Sequence, residues 1–81
     1  MIVHIRLFAA AKDVMKSEQI SLEIPNGATI GELRMTLSEK HPELAPITGH
    51  SLFAVANDYV GNEHILEDET TVACIPPVSG G

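Results

Sequence analysis

Along the first strand-like segment, apolar Val3, Ile5 and Leu7 alternate with polar His4 and Arg6. Period-two spacing predicts a strand with one buried face. Ile20, Leu22 and Ile24 alternate in the same way with Gln19, Ser21 and Glu23. Asp13 to Ser17 read as the connecting turn, so the two strands are expected to form an antiparallel hairpin. Pro25-Asn26-Gly27 stops the second strand. Thr29 followed by Glu32 fits a capping box, in which each side chain bonds the other residue's amide. Ile30, Leu33 and Leu37 then form one apolar stripe at helical spacing. Pro42 disfavours helix at His41, which ends the helix near Lys40. Pro46 and Gly49 mark a loop. Residues 52 to 56 are apolar at every position, the pattern of a strand covered on both faces. Asn57-Asp58 is a turn signal, and Tyr59-Val60 and Ile65-Leu66 are short apolar pairs suited to a brief edge strand. Val72 to Ile75 form a last strand, ended by Pro76-Pro77.

The expected order is strand, strand, helix, strand, short strand, strand, an α+β domain. A single main helix covers only one face of the sheet. The other face is left for water or a partner, and the apolar strands 52–56 and 72–75 make a partner the expectation. Phe8, Phe53 and Ile75 are the candidate interface residues.

With 81 residues the chain holds one domain. A net charge of −6 and five Lys and Arg in all argue against nucleic acid, which needs clustered cations. No apolar run is long enough to span a bilayer, and the first residues lack the order of a signal peptide. The only cysteine, Cys74, has no internal disulfide partner, and a reducing, cytoplasmic setting is expected. His4, His41, His50 and His64 show no metal-ligand spacing, so no metal site is expected and these are read as surface or loop histidines. Cys74 lies in an apolar strand, where free cysteine acts as a small hydrophobe. Glu67, Asp68 and Glu69 read as a solvated acidic turn. No nucleophile–base pair, phosphate loop or cofactor motif is present, so the chain is expected to carry no catalytic side chains of its own.

The element order together with Gly80-Gly81 resembles the ubiquitin-like β-grasp family. Four segments sharpen the likeness to the small subunits of molybdopterin synthase. Leu7-Phe8-Ala9-Ala10-Ala11-Lys12-Asp13 is similar to the Phe-Ala-x-x-Arg-Glu segment of those proteins. Phe53-Ala54-Val55-Ala56-Asn57 is similar to their Ala-Val-Asn strand end. Leu66 to Ala73 is similar to their Leu-x-Asp-Gly-Asp-Glu-Val-Ala turn and strand. Pro76-Pro77-Val78-Ser79-Gly80-Gly81 matches their Pro-Pro-Val-Ser-Gly-Gly segment at every position. The chain departs from the pattern at Lys12-Asp13, at Cys74 and at Glu69, which stands where the family has a turn glycine. A left-handed backbone there would cost a non-glycine residue roughly 1–2 kcal/mol.

The resemblance implies a mixed sheet with one main helix on one face, a β-grasp domain over 1–75 and a flexible Gly-Gly tail over 76–81. It implies a sulfur carrier whose C-terminal carboxylate, on Gly81, is adenylated and converted to a thiocarboxylate. A pterin precursor held by the large synthase subunit would receive the sulfur, two loaded carriers per dithiolene. The other implied partners are an adenylyltransferase resembling ubiquitin activators, which would use ATP, and a sulfur donor protein. No cofactor is expected on this chain itself. Glycine suits the tip because it lacks Cβ and admits close backbone approach. Pro76-Pro77 favours an extended exit from the last strand. Residues Pro76, Pro77, Val78, Ser79 and Gly80 would thread into the partner, with an extended reach of roughly 20 Å. The same features leave open a carrier for thiamine thiazole or tRNA thiolation, or a ubiquitin-like modifier of proteins.

Overall fold

A computed structural model describes residues 1–77. Its first strand, β1, spans Ile2–Leu7, and the first helix, α1, spans Ala9–Met15. Next come β2 at Gln19–Glu23 and the main helix α2 at Ile30–Lys40. A 3-10 turn at Pro42–Leu44 runs into α3 at Ala45–Thr48. Three strands follow among the described residues: β3 at Leu52–Val55, β4 at Asp58–Val60 and β5 at Thr71–Ile75. One sheet results, in the order β2-β1-β5-β3-β4. The β1–β5 pair is parallel and the others are antiparallel. This is the mixed sheet that the resemblance implied.

The alternation decides which residues meet the helix. Val3, Ile5 and Leu7 of β1 and Val72 and Cys74 of β5 point to one side and are buried. Ile30, Leu33 and Leu37 of α2 join them in the core, with Leu22, Ile24, Leu44 and Leu66. The capping box that starts α2 is present: Glu32 N donates to Thr29 Oγ1 at 3.3 Å and Thr29 N donates to Glu32 Oε1 at 3.4 Å. The helix stops at Lys40, before Pro42.

Arg34 ties the second half of the chain to α2. Its Nη1 donates to the carbonyls of Thr48 at 2.7 Å and Ser51 at 2.8 Å. Its Nε and Nη2 donate to Asn62 Oδ1 at 3.2 and 3.1 Å. The guanidinium also lies over the Phe53 ring, 4.7 Å from the centroid. Ser38 and Thr48 close a hydroxyl–hydroxyl contact beside it.

Four expectations are corrected. Pro46 does not mark a loop, because it sits in the first turn of α3, where proline's missing N–H costs nothing, and only Gly49 follows the helix. The connection after β1 is not a plain turn, because residues 9 to 15 form α1. Ala9 at φ +49° bends the chain out of β1, and Lys16 at φ +53° ends the helix. Strand β3 is not covered on both faces: Phe53 is buried, but Leu52 is 56% exposed on the opposite side. The turn after β3 is Ala56-Asn57, one residue earlier than expected, since Val55 pairs with Asp58. Both turn residues have positive φ, 52° and 70°, as a two-residue hairpin turn that follows strand twist requires.

Candidate functional site: the open face of the sheet

Opposite the helix, the sheet carries the side chains of the other parity. On β1 and β2 these are mostly polar: Ile2, His4 and Arg6, then Gln19, Ser21 and Glu23. On β5, β3 and β4 they are small or apolar: Thr71, Ala73 and Ile75, then Leu52 and Ala54, then Tyr59. Phe8 closes the end of this face, 37% exposed. Arg6 reaches toward it, its guanidinium 5.4 Å from the ring centroid. Arg6, Phe8, Ala54, Tyr59, Ala73 and Ile75 share a shallow groove of about 380 Å³. The alanines at its centre keep the floor low, and the larger groups stand at the rim.

Of the expected interface residues, Phe8 and Ile75 line this groove. Phe53 does not. It is 1% exposed, lies on the helix side and packs against Arg34, so its assignment to the partner face is corrected to the core. The neighbours at 52 and 54 point the other way because strand side chains alternate. Arg6, Leu52 and Tyr59 belong to the open face and were missed. For Arg6 and Leu52 the signal was present as parity, since each sits two residues from another open-face position and next to a buried one; Tyr59 lies between exposed Asp58 and half-buried Val60 and is placed on this face only by its pairing with Ala54.

The groove lies at the end of β5, where the Pro-Pro segment begins. Pro76 is buried and Pro77 exposed. Val78, Ser79, Gly80 and Gly81 lie outside the described residues.

Cys74, directly before Ile75, points into the core. Burial pushes its thiol pKa up, against smaller downward pulls from the Ser51 hydrogen bond and the Arg34 charge. A protonated, buried thiol is a poor nucleophile, which fits a packing role. Among the described residues no group of three or more His, Cys, Asp or Glu is placed to hold a metal. Among them, too, no helix is long and apolar enough to cross a membrane.

The sheet order, the single main helix across one face and the open opposite face define a ubiquitin-like β-grasp domain. The chain belongs to the ThiS family, whose model matches residues 5–81. It is 33% identical over 81 residues to a molybdopterin synthase sulfur carrier subunit of Caenorhabditis briggsae, covering 98% of this chain and 96% of the relative. It is 30% identical over 83 residues to the same subunit of Chlamydomonas reinhardtii, covering all of both chains. Among solved structures, SAMP1 from Haloferax volcanii superposes with a TM-score of 0.84 at 22% identity, over the whole of both chains. A chain in the complex of subunits 1 and 2 of the molybdopterin-converting factor from Helicobacter pylori superposes with a TM-score of 0.70 at 27% identity, again over the whole of both chains.

Proposed function

We propose that this chain is the sulfur carrier subunit of a molybdopterin synthase and that Gly81 bears the sulfur. The observation that carries the reading is the full-length relationship to molybdopterin synthase sulfur carrier subunits, joined to the Pro76–Gly81 segment. A carboxylate is a poor electrophile. In this reading its oxygen attacks the α-phosphorus of ATP on an activating enzyme, and pyrophosphate leaves. A persulfide on the donor protein then attacks the carbonyl carbon and expels AMP to give an acyl disulfide. A second thiol of the sulfur-delivering machinery cleaves the S–S bond, leaving the thiocarboxylate on Gly81 and a disulfide behind. The large subunit receives the loaded tail and passes its sulfur to a pterin precursor, twice for each dithiolene.

The open face supports this division of labour. It offers a partner an apolar surface beside the root of the tail, with Phe8 and Ile75 at the end from which Pro77 departs. The folded body docks outside while the thin Gly80-Gly81 tip enters a closed site.

The test is to incubate the chain with activating enzyme, ATP and a sulfur donor and record its intact mass. The wild type gains the difference between sulfur and oxygen. Deleting Gly81 withdraws the carboxylate by about 3.3–3.6 Å, and misplacement by even ~1 Å can cost about 10²-fold. The deletion is therefore expected to lose loading and pterin conversion with little change in melting temperature. Gly80→Ala crowds the tip without shortening it and is expected to lose less. A Gly81 deletion that loads sulfur and supports conversion at the wild-type rate overturns this reading.

A further inference from the structure

One row of side chains crosses four strands of the open face. Arg6 of β1 stands beside Ala73 of β5. Ala73 pairs with Ala54 of β3, and Ala54 pairs with Tyr59 of β4. The sequence across the sheet is therefore long cation, small, small, aromatic. Its two ends are chemically complementary, because a guanidinium stacks on an aromatic face.

We propose that this face pairs with a second copy of the chain about a two-fold axis parallel to the strands, Arg6 of each copy stacking on Tyr59 of the other. Such an axis keeps each residue's height along the strand and exchanges the two sides of the sheet. The row then meets itself reversed. Arg6 falls over the other copy's Tyr59, and Ala73 falls over its Ala54. The next row obeys the same operation: Ile75 pairs with Leu52 within one sheet, so Ile75 of each copy lies on Leu52 of the other. The central alanines let the sheets close, and Arg and Tyr are long enough to bridge the ~10 Å between packed sheets.

Both side chains reach solvent on this face, and the Arg6 guanidinium, which lies 5.4 Å from the Phe8 ring centroid in the single chain, turns from that ring to the other copy's Tyr59 on pairing. Tyr59 is 67% exposed and Arg6 is exposed. Among the described residues, Arg6 has no carboxylate at ion-pair distance. Asp58, next to Tyr59, has the opposite parity and does not compete for the cation. The row spans three strand spacings, about 14 Å, which is narrow beside the ~800 Å² per partner of a standard interface. The pair is thus a weak one. It covers the apolar groove when the chain is alone and concentrated, and it yields to a larger partner on the same face. This inference rests on the sheet face and not on the sulfur chemistry.

Charge gives the pair a diagnostic sign. Each copy carries −6, so two copies repel at long range. Salt screens that repulsion, whereas the stacked and apolar contacts persist. Association is therefore expected to strengthen with salt.

Sedimentation equilibrium of the full chain at up to about 1 mM, in about 0.05 M and about 0.5 M salt, tests the proposal. A reversible monomer–dimer equilibrium that tightens with salt is expected. Arg6→Glu and Tyr59→Arg are each expected to raise the dissociation constant about tenfold or more, since either loses two symmetric stacks. The exchange R6Y/Y59R restores the complementarity and is expected to return the constant to within about threefold of wild type. Both positions are exposed, and circular dichroism of each variant confirms that the monomer is folded. A chain that stays monomeric over the whole range overturns the proposal. So does association that either single variant leaves unchanged, or that the exchange does not restore.

Discussion

His4 Nε2 lies 2.9 Å from Glu69 Oε2, and Glu69 is held at φ +65°. The two facts pull in opposite directions. A left-handed backbone disfavours a side chain with Cβ, while the carboxylate gives the imidazole a partner. In the neutral ring Nε2–H donates to Glu69 and Nδ1 accepts from Ser21 Oγ at 3.0 Å. The backbone of the turn is fastened separately. Ile2 N donates to Asp68 Oδ1 at 2.8 Å and Glu69 N donates to the Ile2 carbonyl at 2.7 Å. The turn is therefore tied to β1 by bonds that do not use the Glu69 side chain, and the His4 contact is added to them.

Replacing Glu69 separates the two effects. Glu69→Gly removes a backbone cost of about 1 kcal/mol and loses an exposed pair worth at most ~1 kcal/mol. The variant is expected to be neutral or slightly stabilised. Glu69→Ala loses the pair and keeps the backbone cost. The alanine variant is expected to melt about 4–8 °C below the glycine variant, the shift that about 1 kcal/mol gives a domain of this size. Equal melting temperatures would show that the turn stores no strain.

Arg34 offers a second test, on the packing that frames the sheet. Its four hydrogen bonds to Thr48, Ser51 and Asn62 satisfy acceptors at the end of α3, in the segment before β3 and in the loop after β4. Arg34→Ala leaves the carbonyls of Thr48 and Ser51 without this donor and removes the stack on Phe53. Hydrogen bonds to charged donors contribute about 1.5–3 kcal/mol, so a loss of about 2–4 kcal/mol is expected in urea titrations. Arg34→Lys keeps the charge but not the fork, and is expected to recover less than half of that loss. A full recovery would mean that charge alone matters at this position.

The contrast between α2 and α1 shows what the sequence makes legible. In α2 a capping box, a three-residue apolar stripe and a following proline all agree, and its bounds follow from them. In α1 none of those signals exists. Phe8 at its N-cap gives no side-chain cap, Ala11 is its one buried residue, and a lysine at φ +53° ends it where glycine is usual. A short helix that meets the core only through Ala11 and the half-buried Met15 leaves little periodicity to read. β3 failed differently. Its unbroken apolar run is true of both faces, but only the Phe53 face is covered within the described chain. Sequence reports that a face is apolar and does not report what covers it. The open-face candidates suffered from the same ambiguity, since parity alone separates Phe53 from Leu52.

Cys74 predicts a pH dependence. Burial raises its folded pKa, so the folded thiol keeps its proton to higher pH than the unfolded one, whose pKa is about 8.5. Below about 8.5 both states are protonated and the contribution to stability is fully present. As pH climbs from there toward the folded value, the unfolded state ionises first and stability falls, by up to about 1.4 kcal/mol per pH unit. Cys74→Ala removes this titration, whatever its constant packing cost. Urea unfolding of both proteins at pH 7 and above pH 9 checks it: the wild type is expected to lose more stability than the variant. Parallel pH profiles would show that the thiol is not protected by the core.

Phe8 and Phe53 are expected to divide between them the two properties that the open face separates. Phe53 is sealed between the sheet and Arg34, so truncating it opens a cavity. Phe→Ala in a core costs about 3–5 kcal/mol, a large fraction of the total stability of a domain this size. The milder Phe53→Leu keeps most of the volume, and is expected to lower stability by about 1–2 kcal/mol with little effect on partner affinity once folded. Phe8 is partly exposed at the groove end and touches Arg6 rather than the core. Phe8→Ala is expected to change stability by less than about 1 kcal/mol. Under the proposed function it weakens binding to the large synthase subunit about tenfold or more, as loss of an interface aromatic that anchors the contact does. Urea titration paired with calorimetric binding to that subunit reads both quantities on the same samples. Phe8→Ala that binds normally would remove the open face from the docking surface. Phe53→Leu that binds poorly while fully folded would place a core residue's influence on the interface, against the parity of β3.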